Sequence, residues 1–299
     1  MPEPLPAPRT DPKGLAYGTA AYLCWGLAPL YFKAVKAASP AEIVSHRVIW
    51  SVLLLGVLVA ASGRQRELAP ALRPPGRLAI YALTTSLISF NWGLFIWAVN
   101  GGHLLEASLG YFINPLVNVL LGVLFLGERL SRLQRVAVAL AAVGVALLVL
   151  NAGVFPWISL GLAASFGLYG LVRKRAAVDP LLGLLIETSL LAPLALAWLF
   201  HLQLAGTSHF GSDPRLTALL VISGVITSLP LVWFTHGVRR LPLSTMGLLQ
   251  YLTPTGHFLL AVWLYGEPFT AAHVATFACI WASLAVFTVD ALGLGNARR

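Results

Sequence analysis

The feature that most constrains this chain is a series of apolar stretches, each about twenty residues long, joined by short connections. A helix needs about twenty apolar residues to cross a bilayer. The longest connections, 62–76 and 201–215, are too short to form a soluble domain, so any function must lie inside a helix bundle. The expected fold is an all-α membrane protein of ten transmembrane helices: 14–34, 41–61, 77–99, 105–126, 132–150, 156–173, 180–200, 216–236, 243–264 and 270–291.

Composition supports lipid as the solvent of this chain. Only 10% of its residues are charged, against about 25% in soluble domains. The net charge of +9 does not indicate a nucleic-acid partner, because the basic residues form short clusters between apolar stretches. The sequence contains neither an H-E-x-x-H motif nor a P-loop. We therefore expect no enzyme activity, no cofactor and no bound metal.

Basic residues predict the orientation of the helices. With the N-terminus inside, the cytoplasmic segments contain 16 of the 20 lysines and arginines, and the outer segments contain three. Cytoplasmic connections are usually enriched in these residues. The segments 1–13 and 293–299 are therefore expected to be cytoplasmic tails.

An internal repeat divides the spanning region in two. Pro115 is followed twelve residues later by Gly127, and Pro254 is followed twelve residues later by Gly266, with a glutamate next in both cases. The two sets are 139 residues apart. An odd number of helices per repeat forces the second copy to enter the membrane from the opposite side. The predicted units are 14–150 and 151–292, each with five helices in inverted topology.

The paired prolines mark candidate helix interruptions. Interruptions at matching positions of two repeats often surround the binding site of a secondary transporter. Polar residues surround both prolines, and we predict that four of them line one substrate-binding cavity: Tyr111, Asn114, Gln250 and Tyr251. The alternative is two kinked helices whose polar groups bond to neighbouring helices.

Aromatic and amide side chains elsewhere suit an amphipathic ligand. Trp25, Asn91 and Trp97 complete the predicted substrate-binding set, although a membrane tryptophan often serves in packing or as an interface anchor. The glutamates after the two repeat glycines, Glu128 and Glu267, are interpreted as solvated caps or loop ion pairs. Cys24 and Cys279 are interpreted as small packing residues.

Three ionisable residues are predicted to act in coupling or gating: His46, Arg47 and Glu187. An arginine at the depth of Arg47 costs on the order of 3 kcal/mol unless it has a partner. Glu187 is the repeat equivalent of Arg47, and a proton is the candidate coupling ion because histidine titrates near neutrality. The alternative is a structural network in which Glu42 is the partner of His46 or Arg47.

Several motifs resemble those of a known family. They include Glu42…His46-Arg47…Trp50-Ser51, Asn91-Trp92, the run EASLGYFINP from Glu106 to Pro115, Pro156-Trp157, Glu187-Thr188 and Gln250-Tyr251. Over nearly its whole length the chain resembles the RarD-type branch of the EamA-domain drug/metabolite transporters. That resemblance implies two EamA repeats, a central cavity lined by helices 1, 3, 4, 6, 8 and 9, and a bacterial inner-membrane location.

The function expected from these observations is secondary transport. We expect export of a small amphipathic metabolite or drug-like compound through a central cavity by alternating access. The expected partners are this substrate, membrane lipid and a proton, and the protein is expected to be a monomer or a homodimer. The alternative function is a non-transporting receptor or scaffold with the same fold.

Overall fold

The computed structural model describes residues 11–100, 104–152, 157–176, 179–264 and 271–291. Regular structure within these ranges is helical. The first half contains α1 (Pro12–Gly26), α2 (Ala28–Ala34), α3 (Pro40–Ala61), α4 (Leu68–Leu72), α5 (Arg77–Asn100), α6 (Leu104–Leu126) and α7 (Arg132–Ala152). The second half contains α8 (Trp157–Arg175), α9 (Pro180–Leu204), α10 (Pro214–Arg240), α11 (Leu243–Leu249), α12 (Leu252–Leu259), a π-helix (Leu260–Leu264) and α13 (Ala271–Ala291).

The same local signal starts four of these helices. An Asp or Ser side chain accepts hydrogen bonds from the first free backbone amides, and a proline follows at the first helical position. Proline fits there because its missing N–H would have no partner inside the helix. The capping residues are Asp11, Ser39, Asp179 and Asp213.

Two of the predicted spans are interrupted close to a proline. Of the two interruptions expected at Pro115 and Pro254, only the one near Pro254 is present. Pro29 leaves the Trp25 carbonyl without its helical donor, and the chain breaks at Leu27 between α1 and α2. Pro254 likewise follows a break at Gln250 and Tyr251. The expected interruption at Pro115 is wrong, because α6 runs through it. One missing N–H removes a single hydrogen bond, which the rest of a long helix tolerates.

The surface of the bundle is apolar. Val57, Leu124 and Leu194 are 65–74% exposed, as expected of side chains that face lipid. Four helical segments within the described ranges are long and apolar enough to cross a membrane by length and composition: Pro40–Ala61, Arg77–Phe95, Pro180–Leu204 and Pro214–Arg240.

The core lies where the two halves meet. Helix α1 packs on α10 and α12, α3 on α9 and α10, α5 on α8, α6 on α8 and α11, and α7 on α13. Aromatic rings from both halves fill the centre of this interface: Tyr22, Trp25, Phe166, Tyr169 and Phe234. Glycines allow the closest crossings, and a Cβ on Gly224 of α10 would lie 2.5 Å from the Trp50 carbonyl carbon of α3.

Candidate functional site

Arg47 of α3 is held between the two halves of the chain. Its Nε donates a hydrogen bond of 2.7 Å to Oγ1 of Thr227 on α10. Its Cζ lies 5.1 Å from the ring centroid of Trp92 and 5.6 Å from that of Phe32, within the range of cation–π contacts. None of the described side chains forms an ion pair with Arg47. Within the described part of the chain, the guanidinium is thus positioned by a hydroxyl and two rings.

Tyrosine and histidine side chains extend this site toward α1. The Tyr111 ring makes an edge contact with His257 at 5.6 Å between centroids. His257 Nε2 lies 3.1 Å from the Trp25 carbonyl oxygen that Pro29 frees, and this oxygen can only accept, so Nε2 donates. The helix break therefore links two predicted site residues, Trp25 and Tyr111, through one histidine.

Glu42 has a different partner from either of those considered from the sequence. Its fully buried carboxylate accepts hydrogen bonds from the His209 amide at 2.7 Å and from His209 Nδ1 at 2.9 Å. The interpretation of Glu42 as the partner of His46 or Arg47 is wrong, because the α9–α10 connection folds back onto the start of α3. His46 instead accepts a hydrogen bond from Trp50 Nε1 at 3.3 Å and stacks on Phe210.

Glu187 forms a buried ion pair within the second half. Its Oε1 lies 3.3 Å from Arg173 Nη1, and the two side chains are 2% and 1% exposed. Its Oε2 accepts a hydrogen bond of 3.2 Å from Tyr169. Arg173 also donates to the Pro180 carbonyl at 3.2 Å. Arg173 carries no signal in the sequence beyond its place in a run of basic residues and its spacing of four from Tyr169, which places both on one helix face.

The predicted polar set near the prolines gathers between α6 and the α11–α12 break. Gln250 Oε1 accepts a hydrogen bond of 2.8 Å from Asn118, and the Tyr251 hydroxyl donates one of 3.3 Å to the Phe112 carbonyl. Asn114 is 5% exposed, and its Oδ1 has no hydrogen-bond partner. Gln250 and Tyr251 thus join the two halves directly, and their role in binding a substrate stays a prediction.

Two further predicted residues lie on α5. Asn91 Nδ2 donates hydrogen bonds of 2.9 Å to the Leu162 carbonyl and to Ser165 Oγ on α8. Trp97 is about half exposed and packs against Trp157 at 5.6 Å between centroids. Asn91 therefore joins α5 to α8, and a contact of either residue with a substrate stays a prediction.

Glu128 caps a helix of the other half. Its carboxylate accepts hydrogen bonds from the Leu243 and Ser244 amides at 2.6 and 2.9 Å, and from Ser244 Oγ at 2.7 Å. The prediction of a cap is correct, but the cap is largely buried rather than solvated, because it lies at the start of α11. Its repeat equivalent, Glu267, and the motif residues 101–103 and Pro156 lie outside the described residues, as do the side chains of 104–109.

Comparison with known proteins identifies the family. The model of the EamA-like transporter family matches residues 12–150. An "Uncharacterized transporter" of Vibrio cholerae is 48% identical, covering 96% of this chain and 95% of that protein. "Protein RarD" of Escherichia coli (strain K12) is also 48% identical, covering 94% of this chain and 95% of that protein.

A solved crystal structure shares the fold. It superimposes with a TM-score of 0.73 at 19% identity, covering 93% of this chain and 98% of the other. The relatives span nearly the whole chain, and those of Vibrio cholerae, Pseudomonas aeruginosa and Bacillus subtilis are named as uncharacterized transporters. Together with the apolar helices, these similarities show that the chain is a multi-pass membrane transporter and belongs to the RarD-type branch of the EamA-like transporter family.

Proposed function

We propose that this protein is a secondary transporter of the bacterial inner membrane that exports a small amphipathic metabolite or drug-like compound. Alternating access to a cavity between the two halves would move the compound across the membrane. The main support for this proposal is the guanidinium of Arg47 between α3 and α10, which forms no ion pair with a side chain that the structure describes.

The surroundings of Arg47 favour a compound with an anionic group. An arginine among membrane helices is costly unless a partner compensates its charge. Thr227 accepts from Nε of Arg47, and no described residue accepts from its two Nη groups, whose donors have the forked geometry that suits a carboxylate or phosphate. The rings of Phe32 and Trp92 beside the guanidinium offer apolar surface for the rest of such a compound.

Helix packing supports ten spans in two inverted five-helix repeats. In this assignment α1 with α2 is the first span, and α11, α12 and the π-helix form the ninth. In the two repeats, α1 is then equivalent to α8, α10 to α5, and α12 to α6. The contacts of α1 with α10 and α12 in one repeat arrangement therefore correspond to the contacts of α8 with α5 and α6 in the other. The pairs α3–α9, α6–α11 and α7–α13 each join equivalent spans. An approximate two-fold axis between the halves explains both this pattern and the 139-residue offset.

The distribution of charge supports cytoplasmic termini, so that the start of α3 lies toward the outside. Arg47 and Glu187 are then equivalent positions on opposite sides of the midplane. Their contacts differ, since Glu187 has Arg173 and Tyr169 within its own half. This supports a structural role for Glu187 and leaves Arg47 as the charge available to a substrate.

The test is a substrate screen on proteoliposomes, with and without a proton gradient. Anionic amphipathic compounds should be moved by the native protein and not by Arg47→Gln. The matched control is Arg215→Gln, an exposed arginine at the start of α10, which should transport normally. Absence of transport for every compound, with a folded protein in the bilayer, would favour the receptor or scaffold function.

A further inference from the structure

The connection between α9 and α10 contains a short strap, residues 207–210, between two glycines. Gly206 and Gly211 have φ values of 66° and 86°. This left-handed region suits glycine and strains other residues. The strap is thus flanked on both sides by positions with few steric restraints on backbone rotation.

One buried carboxylate holds the strap in place. Glu42 is fully buried and accepts hydrogen bonds from the strap alone among the described residues: His209 N, His209 Nδ1 and Ser208 Oγ. The outer side of the strap is open, since the His209 side chain is 41% exposed. Apart from Phe210, which is 38% exposed, the strap consists of polar residues, and a released strap would expose Glu42 to water, where a carboxylate is well solvated.

The strap also packs on α3 on both sides of Arg47 in sequence. The Phe210 ring stacks on His46 with centroids 4.8 Å apart and contacts Trp50 at 6.3 Å. His46 precedes Arg47 in α3, and Glu42 lies five residues before Arg47, or about 7.5 Å along the helix axis. The strap therefore packs on the part of α3 that carries Arg47, at the end of the bundle that we assign to the outside.

We propose that residues 207–210 form the outer gate of the transport site, with Glu42 as the latch and Phe210 as the cover. Release of the hydrogen bonds to Glu42 lets the strap swing about Gly206 and Gly211 and opens a path for a small anionic compound to or from Arg47. The proposal rests on the transport function, but its test does not depend on transport.

The latch is tested by hydrogen–deuterium exchange of the His209 amide in nanodiscs. Glu42→Gln should raise its exchange rate at least about tenfold, because hydrogen bonds to charged groups contribute one to two decades in such an equilibrium. Glu128→Gln is the matched control, since Glu128 is a largely buried carboxylate with three similar bonds. It should leave the His209 amide unchanged.

The gate is tested with a water-soluble maleimide applied from the outer side. Thr227→Cys places a thiol at the partner of Arg47, in a background with Cys24→Ala and Cys279→Ala. Labelling should become several-fold faster on adding Glu42→Gln or Phe210→Ala, and should not change with Glu128→Gln. Phe210→Ala leaves the hydrogen bonds to Glu42 in place, so the labelling test can still be made with this variant if Glu42→Gln fails to fold.

Two results would overturn the proposal. Unchanged exchange of His209 in Glu42→Gln would show that Glu42 is no latch. Unchanged labelling after either substitution would show that the strap does not control access to Arg47. If the protein transports no compound but gives the expected exchange and labelling results, the proposed transport function is wrong while the movement of the strap is supported.

Discussion

The buried pair of Arg173 and Glu187 permits a quantitative prediction. The substitution Glu187→Gln removes the charge but keeps the size and an acceptor for Tyr169. Among the described residues, Arg173 then keeps its bond to the Pro180 carbonyl, and its Nε has no partner there. With both side chains at most 2% exposed, the free charge has almost no access to water.

Glu187→Gln is expected to lower the free energy of unfolding by a large amount for a single substitution. Removing one partner of a buried ion pair costs about 3–5 kcal/mol. For chains of 150–250 residues, 1 kcal/mol shifts Tm by about 2–4 °C, so Glu187→Gln should lower Tm by at least about 6 °C. Replacing both residues by methionine removes the buried charge altogether. The double variant should regain most of this loss, because apolar replacement of a buried pair is often neutral.

Intrinsic tryptophan fluorescence during heating, on protein in detergent micelles, gives these Tm values. Transport per folded molecule should recover in the double variant together with stability. A Glu187→Gln protein with native Tm would refute the energetic reasoning. A stable double variant without transport would refute the structural role and restore Glu187 as a coupling residue.

Three further predictions concern packing, pH and topology. Gly224→Ala should destabilise the protein by about 1–3 kcal/mol, because its Cβ would meet the backbone of α3, whereas Gly56→Ala, with open space around it, should not lower Tm. Burial raises the pKa of the Asp179 carboxyl, but hydrogen bonds from the Leu182 amide and Arg64 outweigh it and hold the pKa below its usual value. Asp179 therefore stabilises the fold above its unfolded pKa, and the Tm difference from Asp179→Asn should disappear as pH falls below about 4. Reporter fusions should read as outside at Asn151 and Gly206 and as inside at Ala69 and Arg132, and two on the wrong face would refute the inverted topology.

The helices were largely predictable because bilayer thickness fixes their length. The run predicted at 41–61 is the helix Pro40–Ala61, and 77–99 is Arg77–Asn100. A helix start also depends on neighbouring residues alone, as with Ser39 before Pro40. The effect of proline was less predictable. Pro115 and Pro254 are equivalent in sequence, yet only the second follows a break, because packing around each helix decides whether it tolerates the lost bond.

Side-chain partners were the least predictable part of the site. Glu42 was expected to pair within α3, where helical spacing is visible in the sequence, but its partners are 166 and 167 residues away. Arg47 was identified from its charge and depth alone, whereas Thr227, 180 residues later, carries no signal beyond a polar side chain in an apolar helix. Such pairings depend on how the halves pack, which local patterns do not specify.

Equilibrium binding tests the role of Arg47 most directly. The compound found by the proteoliposome screen is titrated against the native protein, Arg47→Gln and Arg215→Gln in nanodiscs, each with Tm measured in parallel. Loss of a charge-assisted hydrogen bond is worth about 1.5–3 kcal/mol, so Kd should rise by at least about tenfold in Arg47→Gln and stay unchanged in Arg215→Gln. An unchanged Kd in a folded Arg47→Gln protein would contradict the assignment of Arg47 as the residue that binds the substrate.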